Sequence, residues 1–251
     1  MANLSMFDLT GKKAIVTGAC SGLGRGMAEG LIEAGATVAV IDFNKNVSEI
    51  VGEYGAKGYY GDVTDFAQMD SLFEQVVKDL GGLDILINSA GMTVRENSEV
   101  KNMSNWDRLM KLNVDSVMYL CKLAANVMIP KGYGKILNMA SMTSYFGVPY
   151  SAAYATSKGA VMQMTKSLAD EWAQYGIRVN ALAPGYMDTP LCSGITQNED
   201  QSRYQFLLSR MPVGRWGRPE DLKGAAIFLC SDASEYVNGA ILPVDGGFLA
   251  R

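Results

Sequence analysis

The chain has 251 residues, of which 48% are hydrophobic and 19% charged, a balance that supplies a sizeable core and excludes disordered and fibrous classes. Lys and Arg number 22 against 26 Asp and Glu, and the net charge of −4 argues against a dedicated nucleic-acid binder. There is no histidine, which removes Ser-His-Asp and Cys-His catalysis and every His-ligated zinc site.

Apolar runs alternate with segments of helical period along the whole chain. Ala14-Ile15-Val16 reads as a first strand, and Met27, Leu31 and Ile32 recur at helical spacing until Gly35. Val38 to Ile41 is a second strand closed by Asp42, and a third around Tyr59-Tyr60 leads to Asp62. A helix through Met69, Leu72, Val76 and Leu80 precedes a fourth strand, Asp84 to Ile87. One long helix is expected over Trp106 to Met128, then a fifth strand over Lys135 to Met139. Another helix from about Ala153 to Tyr175 precedes a sixth strand, Arg178 to Leu182. A last helix covers Glu220 to Leu229 and a last strand Ala240 to Val244. Such alternation predicts an α/β fold: one doubly wound, Rossmann-type parallel sheet with helices on both faces and no linker, so a single domain over 1–251. The polar, poorly periodic stretch 186–215 is too long for a turn and is expected to be a substrate lid.

The cysteines Cys20, Cys121, Cys192 and Cys230 form no CxxC pair, so no metal or dithiol centre is expected and a reduced, cytoplasmic setting is favoured. No signal peptide is visible, and no uninterrupted apolar run reaches the roughly 18 residues of a membrane span.

In such sheets ligands bind at the carboxyl ends of the strands. Gly18, Asp42, Asp62, Asn88, Ser141 and Pro184 all fall there. Between the first strand and first helix lies Thr17-Gly18-Ala19-Cys20-Ser21-Gly22-Leu23-Gly24. Glycines permit the tight turn and let backbone amides and the helix N-terminus approach a pyrophosphate. Asp42, eighteen residues after Gly24, suits the ribose hydroxyls of NAD and repels the 2′-phosphate of NADP, so NAD is the expected cofactor. The alternative for Asp42 is a turn former. Arg25 and Lys45 are the nearby cations that leave room for NADP. Cys20 sits in the loop, where a small residue suffices; a helix N-terminus can lower a thiol pKa, but a redox-sensing role has no support in the sequence.

Tyr154 and Lys158, four apart on a predicted helix, share one face, and Ser141 ends the fifth strand. A free tyrosine has a pKa of about 10, too high for a base near neutrality. An ammonium on the same face favours tyrosinate, which then exchanges a proton with a substrate oxygen held by Ser141.

With these motifs, and with Asp62-Val63, Asn88-Ser89-Ala90-Gly91, Asn113, Asn180 and Pro184-Gly185, the chain resembles the short-chain dehydrogenase/reductase family over essentially its full length. The resemblance implies a catalytic tetrad of Asn113, Ser141, Tyr154 and Lys158, with Tyr154 the acid/base, Lys158 also holding the nicotinamide ribose, and Asn113 anchoring a water. It places Gly18, Ser21, Gly22, Leu23 and Gly24 at the phosphates and Asp62 and Val63 beside the adenine. Asn88, Ala90 and Gly91 fall near the ribose, while Pro184, Gly185, Met187 and Thr189 cover the nicotinamide. Ser89 departs from the asparagine usual there. A homotetramer is implied, pairing the two long helices and the last strand and helix.

Within the family, 210–220, Pro184 to Met187 and the ending Val244 to Arg251 resemble sugar-acid dehydrogenases. Substrate contacts are then expected from Ser141, Thr143, Tyr154 and Tyr186, with Arg95, Arg215 and Arg251 as candidates for gripping a carboxylate. The alternatives are reduction of a 3-oxoacyl thioester on acyl carrier protein, a polyol or hydroxysteroid substrate, or a nucleotide sensor without catalysis.

Overall fold

A computed structural model describes residues 4–196 and 201–250. Seven parallel strands form one sheet in the order β3-β2-β1-β4-β5-β6-β7. They are β1 Lys13–Thr17, β2 Thr37–Asp42, β3 Lys57–Tyr60, β4 Ile85–Asn88, β5 Gly134–Met139, β6 Ile177–Pro184 and β7 Ile241–Val244. The helices are α1 Gly22–Glu33, α2 Val47–Gly52, α3 Phe66–Leu80, α4 Met103–Met110, α5 Ser116–Lys131, α6 Ala152–Trp172, α7 Ser193–Thr196, α8 Ser202–Ser209 and α9 Lys223–Cys230.

Successive strand residues point to opposite faces, and here both faces are covered. Ala14 and Val16 of β1, Val38 and Val40 of β2 and Ile85 and Ile87 of β4 pack with Met27 and Leu31 of α1 and Leu229 of α9. The intervening Ile15, Ala39, Ile41 and Leu86 pack on the other face with Phe73 and Val76 of α3, Leu120 and Ala124 of α5 and Val161 and Leu168 of α6. Each fully buried Leu or Ile contributes about 1.5–3 kcal/mol, which is why the strands read as continuous apolar runs.

The strand order reverses between β1 and β4, and a crevice for ligands opens beyond the strand ends at such a switch point.

Three expectations are corrected. The long central helix begins at Met103 and is broken by a π-turn, Lys111–Asp115, because one extra residue there turns the Asn113 amide onto the Met92 backbone. A six-residue helix, α2, lies where none was expected; only Val47 and Val51 of it are buried, too few to show a period. The 186–215 stretch contains α7 and α8 and has its own small core: Leu207, Met211 and Trp216 pack with Met142 and Phe248.

By length and composition the continuous helical stretch Met103–Lys131 is apolar enough to cross a membrane. Its apolar residues Val117, Leu120, Ala124 and Met128 are instead buried in the core of this domain.

Candidate active site

The glycine loop is shaped by close approaches. A Cβ on Gly24 would lie 2.3 Å from the Gly18 carbonyl oxygen, and one on Gly18 2.7 Å from the Ala90 Cα. Gly18 and Gly22 also have φ of +68° and +58°, which favour glycine. Ser21, the N-cap of α1, makes no side-chain cap bond and the first turn carries no acid. The N–H groups at this helix start are therefore free for an anion, the arrangement a dinucleotide pyrophosphate requires. Leu23 is half-buried behind them. Thr189 faces the loop, its Cβ 3.7 Å from the position of a Gly22 Cβ.

Thr17, at 1% exposure, completes the loop's support: its Oγ1 accepts from the Ser89 and Ala90 N–H groups at 3.1 and 3.2 Å. Thr17 stands in the glycine motif, but the motif itself assigns it no role.

Asp42 is buried at the end of β2, where its two carboxylate oxygens accept from the Cys20 N–H at 3.0 Å and the Asn44 N–H at 3.0 Å. It therefore joins the glycine loop to β2 as well as forming the turn. The Cys20 thiol is pushed up to about 12 by burial and by the Asp42 charge, against a redox-sensing role. Arg25 is engaged elsewhere: it meets Glu29 at 2.9 Å and Glu53 at 3.7 Å and lies 5.2 Å over the Tyr54 ring.

Asn88 is buried and donates to Asn138 Oδ1 at 2.9 Å and to Cys121 Sγ at 3.3 Å, so its side chain ties β4 to β5 inside the sheet. Val63 is likewise buried, in the core beside α3, whereas Asp62 is exposed and accepts from Thr64 N and Oγ1. Gly91 lies beside Asn113 and Lys158; a Cβ there would be 3.3 Å from Asn113 Oδ1 and 3.9 Å from Lys158 Nζ.

The four tetrad residues converge at the ends of β4 and β5. Lys158, 7% exposed, donates to the Met139 carbonyl at 2.7 Å, and burial pulls its pKa down to about 8. Its Nζ lies 5.7 Å from the centre of the Tyr154 ring. Burial pushes the Tyr154 phenol up to about 12, and a hydrogen bond from Ser141 works against that rise. Asn113 donates to the Met92 carbonyl at 2.9 Å and to Ser157 Oγ at 3.1 Å, and accepts from Met92 N at 2.9 Å. Both amide protons are thus placed, and the side chain joins the π-turn to α6. Ser144 was not foreseen: its hydroxyl donates to the Lys158 carbonyl at 2.7 Å and accepts from Ser141 N at 3.4 Å, locking two tetrad residues together.

Toward the substrate side, Thr143 is 9% exposed and its Oγ1 has no protein partner. Pro184 ends β6, Gly185 sits against Asp245, and Met187 is buried against Gly217. A cavity of about 420 Å³ lies beside Tyr186, and Arg95, Phe146 and Phe248 also line it. Arg203 and Arg210, neither of them among the expected substrate contacts, line it too. Arg215 does not: it grips Asp221 through two bonds of 2.7 and 2.8 Å on the surface, and is withdrawn as a carboxylate ligand. Arg251 lies outside the described residues.

A family model described as enoyl-(acyl carrier protein) reductase matches residues 18–249. A 2-dehydro-3-deoxy-D-gluconate 5-dehydrogenase from Dickeya dadantii is 43% identical, covering 99% of each chain. The chain belongs to the short-chain dehydrogenase/reductase family. Within that family, a gluconate 5-dehydrogenase from Gluconobacter oxydans is 39% identical over 98% of each chain. The crystal structure of a gluconate 5-dehydrogenase from Burkholderia cenocepacia, in complex with NADP and tartrate, is 38% identical with a TM-score of 0.94 and full coverage of both chains. This chain is accordingly an oxidoreductase of secondary alcohols with a nicotinamide cofactor, on the parallel sheet its sequence predicts.

Proposed function

We propose that this short-chain dehydrogenase interconverts a secondary alcohol and a ketone on a sugar acid of the gluconate or 2-dehydro-3-deoxygluconate type, with NAD(H). The observation that carries the reading is the joint placement of Ser141, Tyr154 and Lys158, together with an arginine-lined cavity that Tyr150, four residues before Tyr154, helps to form. The names of the similar enzymes support the same substrate class.

The cofactor, when bound, accepts or returns a hydride. Gly18, Ser21, Gly22, Leu23 and Gly24 would hold its phosphates and Asp42 its adenosine ribose, with Ala90, Gly91 and Thr189 nearby; the free α1 amides and the close-packed glycines fit this group. In the oxidation direction, Ser141 binds the substrate hydroxyl and Tyr154 takes its proton. The Lys158 ammonium stabilises the phenolate, and Met139 holds Lys158 in place. The alcohol thus loses a hydride from carbon and a proton from oxygen, leaving the ketone and a protonated tyrosine. In reduction Tyr154 returns the proton. Stretch 186–215 acts as the lid over this exchange, and the enzyme assembles as a homotetramer through the faces of α5 and α6.

The proton exchanged belongs to the Tyr154–Lys158 pair, which titrates as a unit: burial pulls Lys158 down to about 8, and the pair that has lost one proton acts with its charge on Tyr154 and its remaining proton on Lys158. Oxidation needs the pair deprotonated. With gluconate and NAD, kcat/KM is expected to rise about tenfold per pH unit up to about 8 and then level, while ketone reduction follows the opposite course. A profile flat between pH 6 and 9 overturns the assignment.

The NAD preference rests on Asp42 and on Arg25 being held by two glutamates. Asp42→Asn removes the repelling charge and keeps an acceptor, and it should move the NADP/NAD ratio of kcat/KM toward NADP by about 10- to 100-fold. An unchanged ratio assigns selection to other residues.

A further inference from the structure

The helix α8 carries Arg203 as its second residue and is followed directly by Arg210 as its C-cap. The two are seven apart, two helical turns, so they share a face. Both line the cavity beside Tyr186, and Arg95 enters it from the segment after β4. Among the described residues no aspartate or glutamate lines that cavity.

Elsewhere Arg25, Arg178 and Arg215 each lie against a carboxylate at 2.7 to 2.9 Å. Among the described residues no ion pair links Arg95, Arg203 or Arg210 to a carboxylate. These three instead line one cavity together with Tyr186. Burial raises the Tyr186 phenol, and all three arginines act against that rise. Burial and the Arg203 charge hold the Arg95 pKa down, so the cluster repels itself. In a protein of net charge −4, a threefold positive pocket with no acid among the described residues is suited to an anion.

The surrounding chemistry narrows that anion. Phe146, Phe206 and Phe248 give the cavity apolar walls for a carbon chain, and the Arg210 guanidinium rests 4.9 Å over the Phe248 ring. Tyr150, two residues before α6, also lines the pocket, and α6 carries Tyr154 in its first turn. Phe146 follows Ser141 by five residues on the same turn.

We propose that Arg203 and Arg210, with Arg95, form the receptor for the substrate's carboxylate and select a sugar acid over the neutral polyol of equal length. The proposal rests on the sugar-acid reading above. Two of its three cations come from α8, so acid specificity is built into the lid segment rather than the sheet ends that carry the tetrad.

The test uses the NAD-loaded enzyme with D-gluconate and sorbitol, comparing the wild type with Arg203→Gln, Arg210→Gln and the double variant. Both positions are exposed, and thermal unfolding of the variants checks that they fold. In the double variant kcat/KM for gluconate should fall on the order of 100-fold, mostly through KM, while the Kd for NAD stays within about twofold. The fall of wild-type kcat/KM with rising salt should flatten in the same variant. Arg→Lys at both positions, which restores charge without the planar fork, should recover part of the loss. Calorimetric binding of gluconate separates the two claims. Equal binding to wild type and double variant overturns the arginine assignment and leaves the sugar-acid reading standing. Wild type that neither binds nor oxidises gluconate, nor reduces its 5-keto form, overturns both.

Discussion

Replacing Tyr154 by Phe should lower kcat about 1000-fold, within the 100- to 10,000-fold range of a positioned acid/base, while NADH binds within about twofold of the wild-type affinity. The ring stays in its place on α6 and only the hydroxyl is lost. Ser141 would still bind the substrate oxygen and Lys158 would still rest on the Met139 carbonyl at 2.7 Å. With no proton carrier between them, hydride movement would leave an alkoxide or an unquenched proton in a buried site. The two readouts separate the roles: steady-state turnover reports the chemistry, and fluorescence titration of NADH reports the cofactor site. Turnover within a few-fold of wild type would remove Tyr154 from the mechanism. Loss of both activities together would make it a structural residue.

The second large effect lies at the opposite end of the sheet and concerns stability. Lys135 is 1% exposed, and its ammonium meets Glu235 at 2.9 Å, while Arg178 meets the other oxygen of Glu235 at 2.7 Å. Glu235→Ala leaves the Lys135 charge enclosed without its carboxylate. Removing one partner of a buried pair costs about 3–5 kcal/mol; Glu235 itself is half exposed, so we expect about 2 kcal/mol after solvent screening. For a domain of this size that lowers Tm by about 4–8 °C. Burial alone would raise the Glu235 pKa, but Lys135 and Arg178 overcome it and hold the value below the usual 4.5. A depressed carboxylate stabilises the fold above its unfolded pKa and is lost as pH falls through the folded value. The Tm difference between wild type and variant should therefore be full at pH 7 and shrink below about pH 4.5. A difference under 1 °C at pH 7 would mean that Lys135 finds another partner.

How much of this could be read from the residues depends on how local the signal is. The strands were legible because burial on both faces makes each an apolar run, as in Ile85-Leu86-Ile87 and Ile136-Leu137. Tyr154 and Lys158 were legible because four residues on a helix fix their common face. The π-turn at Lys111–Asp115 was not, since the apolar spacing runs through it and the reason for it, the Met92 backbone, lies 21 residues away. Ser144 and Thr17 escaped for the same reason: their hydroxyls act on backbone groups of Lys158 and of Ser89 and Ala90, contacts of tertiary structure. Arg215 misled because composition shows a cation and not the Asp221 six residues on that neutralises it. Arg203 and Arg210 gave no signal until α8 placed them on one cavity wall.

The most direct measurement is NADH consumption by the purified protein with 5-keto-D-gluconate and with a 2,5-diketo-3-deoxy sugar acid, beside an acetoacetyl thioester with NADPH. Rapid turnover of a keto sugar acid with NADH, lost in Tyr154→Phe, is the predicted result. Turnover of the thioester alone, with NADPH, would contradict both the Asp42 selection and the sugar-acid assignment.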